Sequence, residues 1–217
     1  GLGDVYKRQH EEKDSRRFAC FEFYGSQGSR FYYSPSLSGD YQGENMAVAL
    51  QVAELISISS DIAKLGVSRM FWPGRLEMVP VGNSQVLLEC AHNPHGVAAL
   101  TSFLESEGLS GLDIGFGALN TKRWREMIDM LVPYVGNWHL LTSPSSMGVP
   151  SEVLADYLTS KGIKAKGYGK AFDEFVAHLT SSSKLFLVTG SIYLVGAVRS
   201  RLGVPIRPLW IHDGCKK

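Results

Sequence analysis

The chain has 217 residues, of which 44% are hydrophobic, and its 22 Lys and Arg residues nearly balance its 21 Asp and Glu residues. This length fits one large or two small domains, and the apolar fraction is sufficient for a packed core. The formal net charge of +1 gives no support for a nucleic-acid or membrane partner.

The sequence also contains no apolar run that approaches the length needed to span a bilayer, and no secretory signal is visible. Its three cysteines, Cys20, Cys90 and Cys215, are odd in number and far apart. They match neither a disulfide framework nor a zinc site. The sequence therefore predicts a cytoplasmic location.

The first fifteen residues lack periodicity and end in a charged run. We predict that residues 1–15 are a disordered or foreign tail, left by cloning or sequence assembly. After them, two short aromatic-rich segments flank a Gly-containing turn and predict a β-hairpin. Apolar residues at helical spacing over 41–56 predict a helix, and residues 58–66 are interpreted as a connector.

From residue 71 onward, apolar strand-like runs alternate with helix-like segments. We expect strands at 85–89, 112–116, 138–141, 163–168 and 185–189, and helices beginning at Pro94, near Thr121, after Ser151, and at Phe172 and Ile192. This alternation is typical of the α/β class, with a mostly parallel sheet covered by helices on both faces.

One stretch combines a strand with several polar residues. The strand at 85–89 ends in Glu89, and Asn93 and Pro94 follow as the expected N-cap and first residue of a helix. Open α/β sheets place ligands at such carboxyl strand ends. Glu89 could bind a ribose hydroxyl, the helix N-terminus an anion, and the upstream Arg75 a phosphate or an adenine face.

The same stretch resembles a known family. Trp72-Pro-Gly-Arg-Leu-Glu77, followed by a strand and Ala91-His-Asn-Pro-His95, resembles the start of the C-terminal domain of folylpolyglutamate and dihydrofolate synthases, members of the Mur ligase superfamily. The usual Asp-Gly of that family is replaced here by Glu89-Cys90. Further resemblance lies in Gln42-x-x-Asn45 and in the run that begins Gly190-Ser-Ile-Tyr.

The resemblance implies a domain plan and a set of site residues. Residues 16–70 would be the end of the central ATPase domain with its linker, and residues 71–217 a Rossmann-like Mur ligase C-terminal domain. The implied roles are ATP binding, catalysis and substrate binding. They fall on Asn45, Arg75 and Glu89 for ATP, on His92 for catalysis, and on Asn93 and Ser191 for substrate. No metal ligand is implied within this sequence, since the Mg²⁺ ligands are expected in the N-terminal region of the family.

The implied activity is the ATP-dependent addition of L-glutamate to folate or dihydropteroate through an acyl phosphate, by a protein that is monomeric at full length. The sequence contains no Gly-x-x-x-x-Gly-Lys-Ser/Thr phosphate loop, so we expect this chain to be an inactive fragment by itself. Two alternatives are a cell-wall Mur-type amino-acid ligase fragment and a non-catalytic α/β module that binds an acidic metabolite.

Each candidate residue also has a purely structural explanation. Arg75 could form a surface ion pair in its turn, and Glu89 could be a solvated charge at the end of a strand. Asn45 could be solvated, and Asn93 could act only as an N-cap. Ser191 could serve packing and capping alone. His92 and His95 have a spacing that could bind a metal, but no third ligand lies nearby in the sequence.

Overall fold

A computed structural model describes residues 4–13 and 16–205, with side chains from Cys20 onward. The described residues up to Trp72 form one compact unit, and those from Pro73 onward form a second. The assignment of these parts to an ATPase domain and a Mur ligase C-terminal domain stays a prediction.

The first unit combines a small antiparallel sheet with two helices. The strands lie in the order β1 (Asp4–Lys13), β2 (Arg16–Tyr24) and β3 (Arg30–Tyr33), and they are followed by α1 (Tyr41–Leu55) and α2 (Ser60–Arg69). Apolar side chains of β2, β3 and both helices form its core. Its buried members are Phe21, Phe23, Tyr33, Met46, Ala47, Leu50 and Val67.

Two segments of this unit differ from the sequence prediction. Strand β1 lies within the expected disordered tail and pairs with β2. Backbone hydrogen bonds alone can hold an edge strand, and they leave no apolar pattern in the sequence. Helix α2 replaces most of the expected connector, because Val67 is buried and Ala63 packs against the core. Residues 1–3, 14 and 15 of the predicted tail lie outside the described residues.

The second unit contains a six-stranded sheet and five helices. Its strands are β4 (Glu77–Val81), β5 (Ser84–Leu88), β6 (Leu112–Phe116), β7 (Val135–Leu141), β8 (Ala165–Gly169) and β9 (Leu185–Thr189). Its helices are α3 (Pro94–Ser106), α4 (Trp124–Leu131), α5 (Ser151–Thr159), α6 (Phe172–Ser181) and α7 (Ile192–Arg201). The strand order is β4-β5-β9-β6-β7-β8, with β4 antiparallel to β5 and the other pairs parallel.

The α/β fold predicted from the alternation is confirmed. Every residue of β6 is buried, as expected for a strand covered on both faces. The chain moves from β5 through β6 and β7 to β8 in one direction and then returns to β9. Right-handed crossovers therefore place α3, α4 and α5 on one face and α6 on the other. Contacts between α3 and α4, and between α6 and α7, agree with this arrangement.

The return of β9 to the centre of the sheet creates the switch point where a site can form. The chain skips one position between β5 and β6, and β9 fills it last, so the carboxyl ends of these three strands are neighbours. Gly190 follows β9 with φ +102°, and its N–H donates to the carbonyl of Ala91 at 3.0 Å. A Cβ at Gly190 would lie 2.6 Å from the Phe116 ring and 2.7 Å from the oxygen of Gly117.

Candidate active site

A strained turn carries Arg75 toward the end of β5. Gly74 and Leu76 both adopt positive φ angles, +70° and +46°, and this conformation costs a non-glycine residue on the order of 1 kcal/mol. The carbonyl of Gly74 accepts a 2.8 Å hydrogen bond from the N–H of Cys90. A Cβ at Gly74 would lie 2.7 Å from the sulfur of Cys90, so the close approach requires glycine here.

Glu89 holds this turn from the strand side. One carboxylate oxygen accepts a 2.8 Å hydrogen bond from the N–H of Leu76, and the other accepts a 3.2 Å bond from Nη1 of Arg75. The side chain of Glu89 is only 4% exposed, whereas that of Arg75 is 34% exposed. The structure thus brings two of the predicted nucleotide-binding residues into direct contact.

Burial is the main influence on the pKa of the Glu89 carboxyl. Removal from water raises the pKa of this carboxyl, while the N–H of Leu76 and the charge of Arg75 act in the opposite direction. The N–H of Ala91 also favours the ionised form. A carboxylate has about four lone-pair sites, so capacity for a further hydrogen bond remains. Sequence reasoning placed Glu89 at a ribose, but it gave no sign that both oxygens also support the Arg75 turn.

His92 follows the same strand and is half-buried. Its Nδ1 lies 3.0 Å from the carbonyl oxygen of Cys90. A carbonyl oxygen can only accept, so Nδ1 carries the proton, and Nε2 of the neutral ring is left as an acceptor. This contact fixes the orientation of the ring, and the catalytic role of His92 stays a prediction.

Asn93 is the N-cap of α3, as the sequence indicated. Its Oδ1 accepts a 2.8 Å hydrogen bond from the N–H of Gly96, and Pro94 occupies the first helical turn. The cap is a structural role that the side-chain oxygen already fills. A role of Asn93 in binding substrate stays a prediction.

Ser191 has a comparable structural role at the start of α7. Its hydroxyl oxygen accepts hydrogen bonds from the N–H of Tyr193 at 3.2 Å and from the hydroxyl of Ser143 at 2.8 Å. The residue is 1% exposed. Ser191 therefore ties the ends of β7 and β9 together, and its predicted contact with substrate stays a prediction.

An open cleft of about 470 Å³ lies between the starts of α3 and α4. It is lined by Asn93, Pro94, His95, Thr121, Lys122 and Arg123. Lys122 and Arg123 make it basic, although Arg123 also pairs with the exposed carboxylate of Glu126 at 3.0 Å. The sequence analysis did not include Lys122 among the site residues. Its position shortly after β6, at the switch point, is the signal that could have identified it.

Asn45 belongs to the first unit. It is exposed on α1, and its Nδ2 donates to Oε1 of Gln42 at 3.1 Å. Gln42 is buried, so the two residues of the Gln-x-x-Asn pattern form one hydrogen-bonded pair three residues apart on the helix. This contact orients the Asn45 amide.

Clustered metal ligands are not found in the part of the chain that the structure describes. There, no group of three or more His, Cys, Asp or Glu side chains is arranged to hold a metal ion. Among the same residues, no helix has both the length and the apolar character of a membrane span.

The sequence of the chain is similar to those of several known ligases. No protein-family model matches the chain. It is 30% identical over 178 residues to the dihydrofolate synthase/folylpolyglutamate synthase of Bacillus subtilis, a match that covers 77% of this chain and 40% of that protein. Over 76 residues it is 37% identical to the UDP-N-acetylmuramyl-tripeptide synthetase of Latilactobacillus sakei, covering 35% of this chain and 15% of that protein.

The fold has counterparts among solved structures. The folylpolyglutamate synthase of Mycobacterium tuberculosis, crystallised with ADP and AMPPCP, superposes with a TM-score of 0.73 at 22% identity. The match covers 94% of this chain and 48% of that one. The resemblance predicted from the sequence motifs is thus confirmed. The chain is similar in sequence to folylpolyglutamate and dihydrofolate synthases, and it spans about 40% of the length of the curated relative from Bacillus subtilis.

Proposed function

We propose that this chain forms part of an ATP-dependent ligase that adds L-glutamate to folate or dihydropteroate. The observation that carries the proposal is the Arg75–Glu89 pair beside the N-terminus of α3, at the switch point of the sheet. A partly exposed guanidinium held by a buried carboxylate is a fixed cation suited to a nucleotide. The M. tuberculosis synthase with this fold was solved with ADP and AMPPCP.

In this ligase, the folate carboxylate takes the terminal phosphoryl group of ATP and becomes an acyl phosphate. The amine of glutamate attacks the acyl carbon and loses a proton, giving the amide, ADP and phosphate. We assign Arg75 to the nucleotide, with Glu89 orienting it and accepting from a ribose hydroxyl. We assign His92 to catalysis: its Nε2, the ring nitrogen that is not directed at the carbonyl of Cys90, would accept the proton that the amine releases.

The basic cleft suits the carboxylates of the incoming glutamate. Lys122 lies in it beside the N-terminus of α3, where backbone N–H groups favour anions. Asn93 and Ser191 contribute by fixing the starts of α3 and α7. The role of the chain is to position the reactants and to stabilise charge.

Several finer features belong to the same proposal. Mg²⁺ would be held by ligands in the N-terminal region of the family, outside this sequence. Asn45 would contact the adenine through its oriented amide. The full-length ligase would be a cytoplasmic monomer that acts on small molecules, with neither nucleic acid nor membrane as a partner.

The function can be tested in a chimera in which this chain replaces the matched segment of the B. subtilis relative. ADP release would be measured with glutamate plus dihydropteroate, a folate monoglutamate, or a UDP-N-acetylmuramyl peptide. We expect activity with a pteridine substrate. A preference for the UDP-linked substrate would support the Mur-type alternative, which the L. sakei relative favours. A folded chimera inactive with all three would support the non-catalytic module.

The isolated chain is expected to release no ADP in the same assay, because its sequence has no Gly-x-x-x-x-Gly-Lys-Ser/Thr phosphate loop. A clear rate that depends on both glutamate and a pteridine substrate would contradict this expectation.

A further inference from the structure

A buried ion pair lies behind the Arg75 turn. Arg199 of α7 donates through Nε and Nη2 to both carboxylate oxygens of Glu77, at 2.9–3.2 Å. Both side chains are only 8% exposed. Two buried charges are tolerated only when their remaining donors and acceptors are also satisfied, so the surroundings of this pair show what it holds in place.

The remaining donors of Arg199 are directed to backbone carbonyls after α7. Its Nη1 donates to the oxygen of Val204, and its Nη2 donates to that of Pro205, both at 3.2 Å. The guanidinium therefore donates to Glu77 on one side and to the segment after α7 on the other. These contacts fix the position of the Glu77 carboxylate relative to the sheet.

Glu77 in turn holds the start of the turn. Its Oε2 accepts a 2.8 Å hydrogen bond from the N–H of Gly74. Gly74 and Leu76 flank Arg75 and have positive φ, so this backbone conformation persists only where its surroundings impose it. Glu77 anchors the turn from one side and Glu89 from the other, with Arg75 between them.

We propose that Glu77 and Arg199 are positioning residues for the nucleotide site. They act through the turn: Arg199 fixes Glu77, Glu77 fixes the N–H of Gly74, and the turn then directs Arg75 outward. This inference rests on the proposed function for its ligand, but its structural part stands on contacts that are independent of that function.

The same helix provides a matched control. Arg201 also donates through Nε to a carboxylate, that of Asp173 at 2.8 Å. The Asp173 side chain is 90% exposed, and Arg201 donates its other hydrogen bond to the carbonyl of Ala197 in its own helix. Loss of the Arg201 pair should therefore leave the turn unchanged, since exposed pairs contribute little.

The test compares Arg199→Met, Glu77→Gln and Arg201→Met in the chain as it is. Hydrogen exchange followed by NMR on this chain would report the protection of the Gly74 and Leu76 amides. Titration of the chimera, carrying the same substitutions, with ADP would give its dissociation constant. For Arg199→Met and Glu77→Gln we expect the protection of both amides to fall and the ADP dissociation constant to rise about tenfold or more. The Ile114 and Leu187 amides in the sheet core should stay protected, and Arg201→Met should match the wild type.

Glu77→Gln keeps the size of the side chain and one oxygen acceptor, so it serves if Arg199→Met fails to fold. Unchanged turn protection and ADP affinity in the folded variants would overturn the proposal. An equal loss of protection at Gly74 and Ile114 would also overturn it, because it would show a general structural role. If the folded chimera with the wild-type segment fails to bind ADP, the nucleotide site of the proposed function is wrong, and the exchange of Gly74 and Leu76 still decides whether the pair positions the turn.

Discussion

Two buried clusters of titratable groups in the second unit differ in whether their ionisable side chains have hydrogen-bond partners. In the cluster around Glu89, both carboxylate oxygens have donors, and an arginine lies in contact. In the cluster around His139, neither ring nitrogen has a hydrogen-bond partner within the described structure. The nearest carboxylate oxygen there, Oδ2 of Asp113, is 3.8 Å from Nε2, beyond hydrogen-bond distance.

The surroundings explain the difference. The rings of Tyr168, Phe175, His178 and Phe186 have centroids 5.0–6.0 Å from that of His139. Burial lowers the pKa of His139, and the charge of Asp113 acts against that shift. A buried carboxylate with a donor on each oxygen supports a fixed geometry, whereas a buried neutral imidazole among aromatic rings serves packing. Burial of an ionisable group is therefore not enough to mark a site; its partners must also be counted.

The largest effect is expected from Glu89→Ala. It leaves the N–H of Leu76 and the guanidinium of Arg75 without their shared acceptor, so we expect a loss of about 1–3 kcal/mol in the free energy of unfolding. The ADP dissociation constant should rise on the order of tenfold. Glu89→Asp keeps the charge and should be milder in both. Denaturant titration and calorimetry with ADP would measure these changes. Unchanged stability and ADP affinity would mean that the carboxylate supports neither the turn nor the nucleotide.

The second prediction is that the His139 cluster makes the free energy of unfolding depend on pH. The pKa of His139 is lower in the folded state than in the unfolded one, so the unfolded state binds the extra proton first. Stability should then fall as pH drops below about 6.5, with a slope of at most about 1.4 kcal/mol per pH unit. The groups that face His139 are Asp113 on β6, Lys166 on β8 and His178 on α6.

His139→Phe should flatten this part of the stability profile, whereas His95→Gln, at an exposed position, should not. The measurement is urea unfolding between pH 5 and pH 8, a range of about three units around the ordinary pKa of histidine. A steep acid loss that persists in His139→Phe would show that other groups cause it.

For Glu89 we expect the opposite dependence of stability on pH, in a lower pH range. Its pKa is raised on folding, so the folded carboxyl holds its proton more tightly than the unfolded one. Its contribution to stability should therefore decrease as pH rises through the range between the unfolded and folded pKa values. Glu89→Gln should remove this decrease when the two proteins are compared from about pH 4 to pH 7. A constant difference in stability across that range would contradict the raised pKa.

The smallest effect on stability is expected from Arg75→Ala. The side chain is one-third exposed, and surface changes usually alter the free energy of unfolding by about 0.5 kcal/mol or less. The ADP affinity should nevertheless fall, whereas Arg69→Ala, at an exposed arginine of the first unit, should leave it unchanged. A collapse of the thermal midpoint with normal ADP affinity would make Arg75 a purely structural residue.

The sequence predicted those parts of the fold whose pattern is local. Strands β6 and β9 and helix α7 have the expected bounds, because continuous apolar runs and a helix N-cap are visible in short windows. Strand β4 was not predicted, since Pro80 interrupts it; an edge strand tolerates this proline. Helix α2 was not predicted either, because its contact with the core rests on only a few apolar residues.

For the candidate site, the sequence indicated Arg75, Glu89 and the Asn93 cap because each belongs to a local motif. It gave no indication of the link from Arg199 to Glu77, which joins residues 122 positions apart. Nor did it reveal the internal hydrogen bonds of Ser191, since Ser143 approaches only when β7 and β9 share one sheet. Contacts of this kind depend on the topology of the sheet, so they cannot be predicted from a short sequence motif.

The crowded position of Gly190 has a consequence for genetics. Even one added methyl group at this residue would clash with the Phe116 ring and with the backbone of Gly117, neither of which can move without disturbing the sheet. In a saturation library scored only for folded, soluble expression, codon 190 should accept glycine and no other amino acid. The neighbouring codon for Ile192, whose side chain is half exposed, should accept many.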